Sequence, residues 1–127
     1  MNIYEGGCHC GKVRFRIRTD LSRIVECNCS ICAKKGVLHH RLPPEDFELL
    51  SGKDALSVYQ FGSKVAKHHF CRCCGIHTFS NPRAAPDMIT VNVRCLDDFP
   101  QGVNLDNVAH FDGRNWEQAV QTFNFTK

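Results

Sequence analysis

Between residues 12 and 18 the chain reads KVRFRIR, in which Val13, Phe15 and Ile17 alternate with Lys12, Arg14, Arg16 and Arg18. A period of two puts the apolar side chains on one face and the basic ones on the other, which predicts a β-strand buried on one side only. Similar short segments follow at 23–26, 37–42, 55–61, 65–70, 76–80 and 88–93, separated by Gly, Pro, Asn, Asp and Ser. They are too short for long helices. One helical turn is expected at 44–47, where Pro44 precedes Glu45 and Asp46, and another at 115–121, where Asn115 can cap. The expected fold is therefore mainly β, with at most short helical turns. Residues 81–86 and 97–107 read as long surface loops able to border a site.

The whole sequence has 127 residues and reads as a single domain over 1–127, with no repeat, low-complexity tract or linker. Sixteen Lys and Arg against 13 Asp and Glu give a net charge of only +3, and the longest basic run is Lys34-Lys35. No nucleic-acid partner is expected from so mild and dispersed a charge. No stretch near Met1 pairs a basic start with an apolar run, and none nears the roughly 18–20 apolar residues that span a bilayer. The expectation is a cytoplasmic protein with no membrane partner.

Apolar residues make up 43% of the chain, but nine of them are cysteines, which leaves a lean ordinary core that staples would reinforce. In a reducing compartment clustered thiols read better as metal ligands than as disulfides, and an odd number cannot pair fully within the chain. Three clusters stand out: Cys8-His9-Cys10-Gly11, Cys27-Asn28-Cys29-Ser30-Ile31-Cys32 and Cys71-Arg72-Cys73-Cys74-Gly75. Zn²⁺ takes four soft ligands tetrahedrally, and a tight turn aims two sulfurs at one ion, with Gly11 and Gly75 free to turn the backbone. Cys8, Cys10, Cys71 and Cys74 are thus expected to form a structural zinc site, against the alternatives of disulfides or unligated thiols.

The middle cluster offers only three thiols, Cys27, Cys29 and Cys32, and leaves one coordination position open, as in a catalytic zinc. Three thiolates give the centre a net charge of −1 and a weak Lewis acid, better suited to holding an incoming thiol as thiolate than to activating water. Cys95, His39, His40, His69 or His77 could instead close the site and make it structural. Cys73 and Cys95 read as free structural thiols. Two zinc ions per chain are expected in all.

The segments GGCHCGKVRF (6–15), CNCSICAKKG (27–36), YQFGS (59–63), FCRCCGIHTF (70–79), VNVRCLDD (91–98) and HFDGRNWE (110–117) together resemble the glutathione-dependent formaldehyde-activating enzyme family, which includes centromere protein V. The resemblance implies a zinc-stapled fold of packed antiparallel sheets of the β-tent type. It implies that Cys8, Cys10, Cys71 and Cys74 ligate a structural zinc and Cys27, Cys29 and Cys32 a catalytic one. It also implies a carbon–sulfur lyase that reversibly condenses glutathione with formaldehyde to S-hydroxymethylglutathione. Some of Lys34, Lys35, Arg83 and Arg94 are expected to clamp the carboxylates of glutathione. Two other classes compete: a non-catalytic zinc module for a protein or chromatin partner, and a sulfoxide-reductase-like enzyme with Cys95 as nucleophile beside Arg94.

Overall fold

The computed structural model describes residues 1–123. The KVRFRIR segment forms strand β2 (Arg14–Thr19), and Val13, Phe15 and Ile17 are fully buried on its inner face. β2 is the middle strand of a three-stranded antiparallel sheet, between β1 (Asn2–Gly7) and β5 (Phe47–Ser51). The second sheet runs β10 (Ala109–Phe111), β3 (Val25–Cys27), β4 (Leu38–Leu42), β9 (Ile89–Asn92), β8 (His77–Asn81), β7 (Lys67–Cys71) and β6 (Leu56–Tyr59). The helices are short: α1 (Ser30–Lys35) and α2 (Trp116–Thr122), with 3-10 turns that include Pro44–Asp46 and Gly113–Asn115. The fold is mainly β, as expected.

The sheets meet through Phe47, whose ring stacks on Phe15 (centroids 5.7 Å apart) and tilts against Phe79 of β8 (4.7 Å). Leu38, Leu42 and Val91 of the second sheet, with Val93 just after β9, complete the shared core. Burying each such side chain contributes about 1.5–3 kcal/mol. Strand alternation then decides what the other face carries. On β4, Leu38, His40 and Leu42 are buried on the core side, so His39 and Arg41 project from the opposite face. Arg41 lies opposite Thr90 of β9, and Thr90 in turn lies opposite Ser80 of β8. This second, polar face is the one that matters for function.

The basic face of β2 is neutralised by the chain itself. Arg14 makes two hydrogen bonds to Asp97, Arg16 contacts Glu5 and Glu48, and Arg18 reaches Asp46. Such exposed pairs contribute about 0–1 kcal/mol each; their importance here is that these arginines have carboxylate partners already.

The structure departs from the sequence-based expectations at four elements. NIYEGG carries no alternation, yet forms β1 because β2 supplies a partner for every residue from Asn2 to Gly7. Gly6 is required there, since a Cβ would lie 2.4 Å from the Cys95 carbonyl oxygen. The turn begun by Pro44 ends at Asp46, and Phe47 opens a strand instead of closing the turn. Residues 30–35 are helical, and β10 pairs with β3 in parallel, so the second sheet is not purely antiparallel. No helix among the described residues is long and apolar enough to cross a membrane.

Candidate metal centres and cavity

Two turns build the first thiol cluster. In one, the Gly11 amide donates to the Cys8 carbonyl, and Gly11 takes the left-handed backbone (φ +84°) that reverses the chain. In the other, the Gly75 amide donates to the Cys71 carbonyl at 2.7 Å, with φ +80° at Gly75. The backbone amide of Val13 donates to Cys8 Sγ at 3.3 Å, so β2 begins against the cluster. The sulfurs of Cys8, Cys10, Cys71 and Cys74 all lie within 4.8 Å of one another. Cys8 to Cys10 is 3.6 Å and Cys10 to Cys71 is 3.7 Å. A tetrahedron with Zn–S of about 2.3 Å has S···S edges of about 3.8 Å. The donor set therefore fits a four-sulfur metal site, and Cys8 and Cys71 are buried within it against Val13 and Ala55.

The second cluster comes from one stretch. α1 starts at Cys29, whose sulfur accepts from the Cys32 amide at 3.5 Å, while Cys27 Sγ accepts from the Cys29 amide at 3.5 Å. A three-residue helical spacing brings Cys29 and Cys32 to one side, and Gly36 (φ +67°) ends the helix. The sulfurs of Cys27, Cys29 and Cys32 lie within 4.8 Å of one another, and among the described residues no other His, Cys, Asp or Glu joins that group. Two cysteine clusters could thus hold metal ions, one with four thiols and one with three. Hydrogen bonds from Cys27 and Cys32 hold the Cys29 thiol far below its ordinary value, at about 2, while the same contacts push the Cys32 thiol up. A cation bound there would displace whatever protons the three sulfurs keep.

The loop 110–116 is the back wall of this cluster. Asn28 donates through Nδ2 to Asp112 Oδ1 (3.1 Å) and accepts through Oδ1 from the Arg114 amide (3.1 Å). Its own amide donates to the Phe111 carbonyl. Gly113 sits so close that a Cβ would lie 2.6 Å from Cys27 Sγ and 2.7 Å from Cys29 Cβ. Within the motifs CNCSICAKKG and HFDGRNWE, sequence alone marks no role for Asn28 or Gly113. The absence of a side chain at 113 was its visible signal.

Of the five residues that could close the second site, four are engaged elsewhere. His40 donates through Nδ1 to the Arg23 carbonyl, which leaves Nε2 to accept from Thr19. His69 pairs with Asn81, and His77 Nδ1 accepts from Lys35 at 3.0 Å. Cys95 donates to the His77 carbonyl at 3.4 Å and belongs to neither sulfur group, and burial pushes its thiol up to about 12. His39 alone stands beside the cluster, with Nε2 3.2 Å from Cys32 Sγ. Burial lowers the ring to about 4 and keeps it neutral, and its Nδ1 is buried without a partner. Cys73 is exposed, 3.6 Å from Lys12 Nζ and outside the four-sulfur group.

The three-thiol cluster opens into a cavity of about 510 Å³ over the polar face of the large sheet. Its floor includes His39, Arg41, Ser80 and Thr90, and its walls include Phe61, Arg83 and Trp116. The expected clamp is only partly present. Arg83 lines the cavity, whereas Arg94 donates to the Gly36 carbonyl and packs over Phe99, and Lys35 is turned to His77. Lys34 is exposed outside the lining.

A mainly β chain with a four-thiol and a three-thiol cluster, each able to hold a metal ion, and a cavity sized for a small molecule beside the second, defines the class. Comparison narrows it. The sequence profile described as glutathione-dependent formaldehyde-activating enzyme matches residues 3–111, and the chain belongs to that family. A Halomonas elongata protein provisionally named for the same activity is 30% identical over 110 residues, covering 78% of this chain and 69% of the relative. The crystal structure of a Rhodobacter sphaeroides protein, a structural-genomics target, shares the fold with a TM-score of 0.75 and 34% identity, over 84% of this chain and 98% of the other.

Proposed function

We propose that residues 1–127 form one zinc-dependent carbon–sulfur lyase domain of the β-tent type, acting in the cytoplasm to condense glutathione with formaldehyde. The observation that supports this most is the open three-sulfur group of Cys27, Cys29 and Cys32 at one end of the cavity. Cys8, Cys10, Cys71 and Cys74 would hold a structural zinc, which would tie the start of the chain to the β7–β8 connection. Zinc held by Cys27, Cys29 and Cys32 would supply an open position that favours the thiolate form of an incoming thiol.

The chain's own residues do the rest. His39 Nε2 lies 3.2 Å from Cys32 Sγ and, as a donor, would hold a Cys32 thiolate in place, while the neutral ring adds no positive charge. Gly113 and Asn28 fix the cluster's back wall so that the cavity side stays accessible. The aromatic walls Phe61 and Trp116 limit water around the reacting sulfur. In the reaction the glutathione sulfur bonds to the carbonyl carbon, the carbon–oxygen π bond opens, and the thiol proton ends on that oxygen. Holding both partners in one cavity supplies the main advantage, because a bimolecular encounter becomes effectively unimolecular.

Calorimetry of glutathione on zinc-loaded protein tests the reading, with exchange spectroscopy following S-hydroxymethylglutathione formation above the uncatalysed rate. Binding and acceleration by the wild type, both lost in Cys29→Ser, are expected. Equal behaviour of the two proteins would remove the open cluster from the chemistry.

A further inference from the structure

The cavity has a charge character that the whole chain lacks. Sixteen basic residues against 13 acidic ones make a nearly balanced protein. Yet the cavity lining contains Arg23, Arg41, Arg83 and Arg114 and no Asp or Glu among the described residues. The β2 arginines each have a carboxylate of the chain beside them, whereas none of the ion pairs among the described residues involves Arg23, Arg83 or Arg114. A guanidinium is a rigid fork of donors that matches a carboxylate two bonds at a time. Four of them around a concave, largely apolar space select an anion.

The arginines fall into two groups. Arg23 is four residues before Cys27 along the β3 segment, about 13 Å away at a strand's rise per residue. Arg41 projects from β4 on the same face, opposite Thr90. Two buried polar atoms at this end, Arg23 Nε and Thr90 Oγ1, have no hydrogen-bond partner. Unpaired polar atoms of this kind are expensive to keep unless a ligand or water satisfies their neighbourhood. Arg114 is instead next to Gly113 at the thiol cluster, and Arg83 stacks over Trp116 with its guanidinium carbon 3.7 Å from the ring centre. Arg83, Arg114 and Trp116 also line an adjoining cavity of about 490 Å³, which adds Glu117, the single acid in either lining among the described residues.

Glutathione has a plain carboxylate on one side of its sulfur and an α-amino acid, both carboxylate and ammonium, on the other. We propose that the cavity reads these ends separately: Arg23 and Arg41 hold the glycine carboxylate, while Arg83, Arg114 and Glu117 hold the α-amino-acid group of the glutamyl end. The assignment rests on the glutathione reading above, and its orientation follows from Glu117, the one acid in either lining among the described residues. A thiol without a carboxylate is accordingly a poor ligand whatever its reactivity.

S-methylglutathione keeps both ends but offers no thiol, so its calorimetric binding to the zinc-loaded protein isolates this recognition from the metal. Esterifying its glycine carboxylate is expected to weaken binding to the wild type by about 10- to 100-fold, the range for losing a charge-assisted hydrogen bond in a partly enclosed site. Arg41→Gln should weaken the free acid by a similar factor and leave the ester unchanged. Arg114→Gln and Glu117→Gln should weaken acid and ester alike. Equal wild-type affinity for acid and ester would overturn the assignment without any variant needing to fold, as would an Arg41→Gln loss of the same size for both ligands. Failure of both glutathione and S-methylglutathione to bind the wild type would take the proposed function down as well, whereas binding that ignores the arginines overturns this inference alone.

Discussion

The two cysteine clusters present one donor atom in different settings, and chain separation explains the difference. Cys10 and Cys71 are 61 residues apart and meet at 3.7 Å, so a metal there closes a long loop of the unfolded chain. Cys27, Cys29 and Cys32 lie on one short stretch that α1 already brings together, so a metal there closes almost nothing. The first cluster is packed against Val13 and Ala55; the second borders a cavity. On the proposed reading, a metal at the first cluster would be shielded and ligated by four protein sulfurs, and one at the second would be left a free side.

The largest expected contrast comes from removing one ligand of each cluster. Structural zinc is worth on the order of 10–16 kcal/mol in finger peptides, as much as or more than the roughly 5–15 kcal/mol stability of a domain. Cys71→Ser should therefore yield unfolded or insoluble protein, whereas Cys29→Ser should stay folded with one zinc fewer, as circular dichroism melts and metal analysis will report. A folded Cys71→Ser protein would break the comparison. Gly113→Ala comes next, because the added methyl must displace the Cys27 sulfur or the Cys29 side chain. It should weaken metal binding at the second cluster at least about 10-fold and leave the first zinc in place, measured by competition with a chromogenic chelator. Asn28→Ala removes two side-chain hydrogen bonds to the 110–116 loop. A smaller loss of about 1–3 kcal/mol in urea unfolding is expected, together with weaker glutathione binding.

Acid gives the most diagnostic effect. Burial lowers His39 to about 4 and His77 to about 2, and lowers His40, His68 and His69 as well. Below about pH 6.5 the unfolded chain takes up protons that these folded rings refuse, so stability falls as pH falls through that window. His39 and His77 together should remove about 3 kcal/mol between pH 7.5 and 5.5 in urea titrations. His39 and His68 line the cavity, so His39→Gln should flatten the pH dependence on the open cluster's side of the molecule.

Much of this was legible in the sequence. The alternation at 12–18 located the central strand of the small sheet, and the spacing of cysteines paired the outer clusters and isolated the middle one. The missing elements are those set by partners distant in sequence. β1 has no pattern of its own and exists because β2 pairs with it; β10 is three residues long and parallel to β3. α1 was hidden because its residues read as a metal loop, and a cap made by the Cys29 sulfur is not among the usual Ser, Thr, Asp and Asn signals. The cavity's arginines come from four separated segments, so no local run of charge announced them, and Lys34-Lys35 drew attention instead.

The most direct test of the contrast between the clusters is zinc content per chain combined with X-ray absorption at the zinc edge, with and without glutathione. The account predicts two zincs, one with four unchanging sulfurs and one with three protein sulfurs, whose average sulfur coordination rises when the thiol is added. One zinc, or two centres indifferent to glutathione, would contradict it.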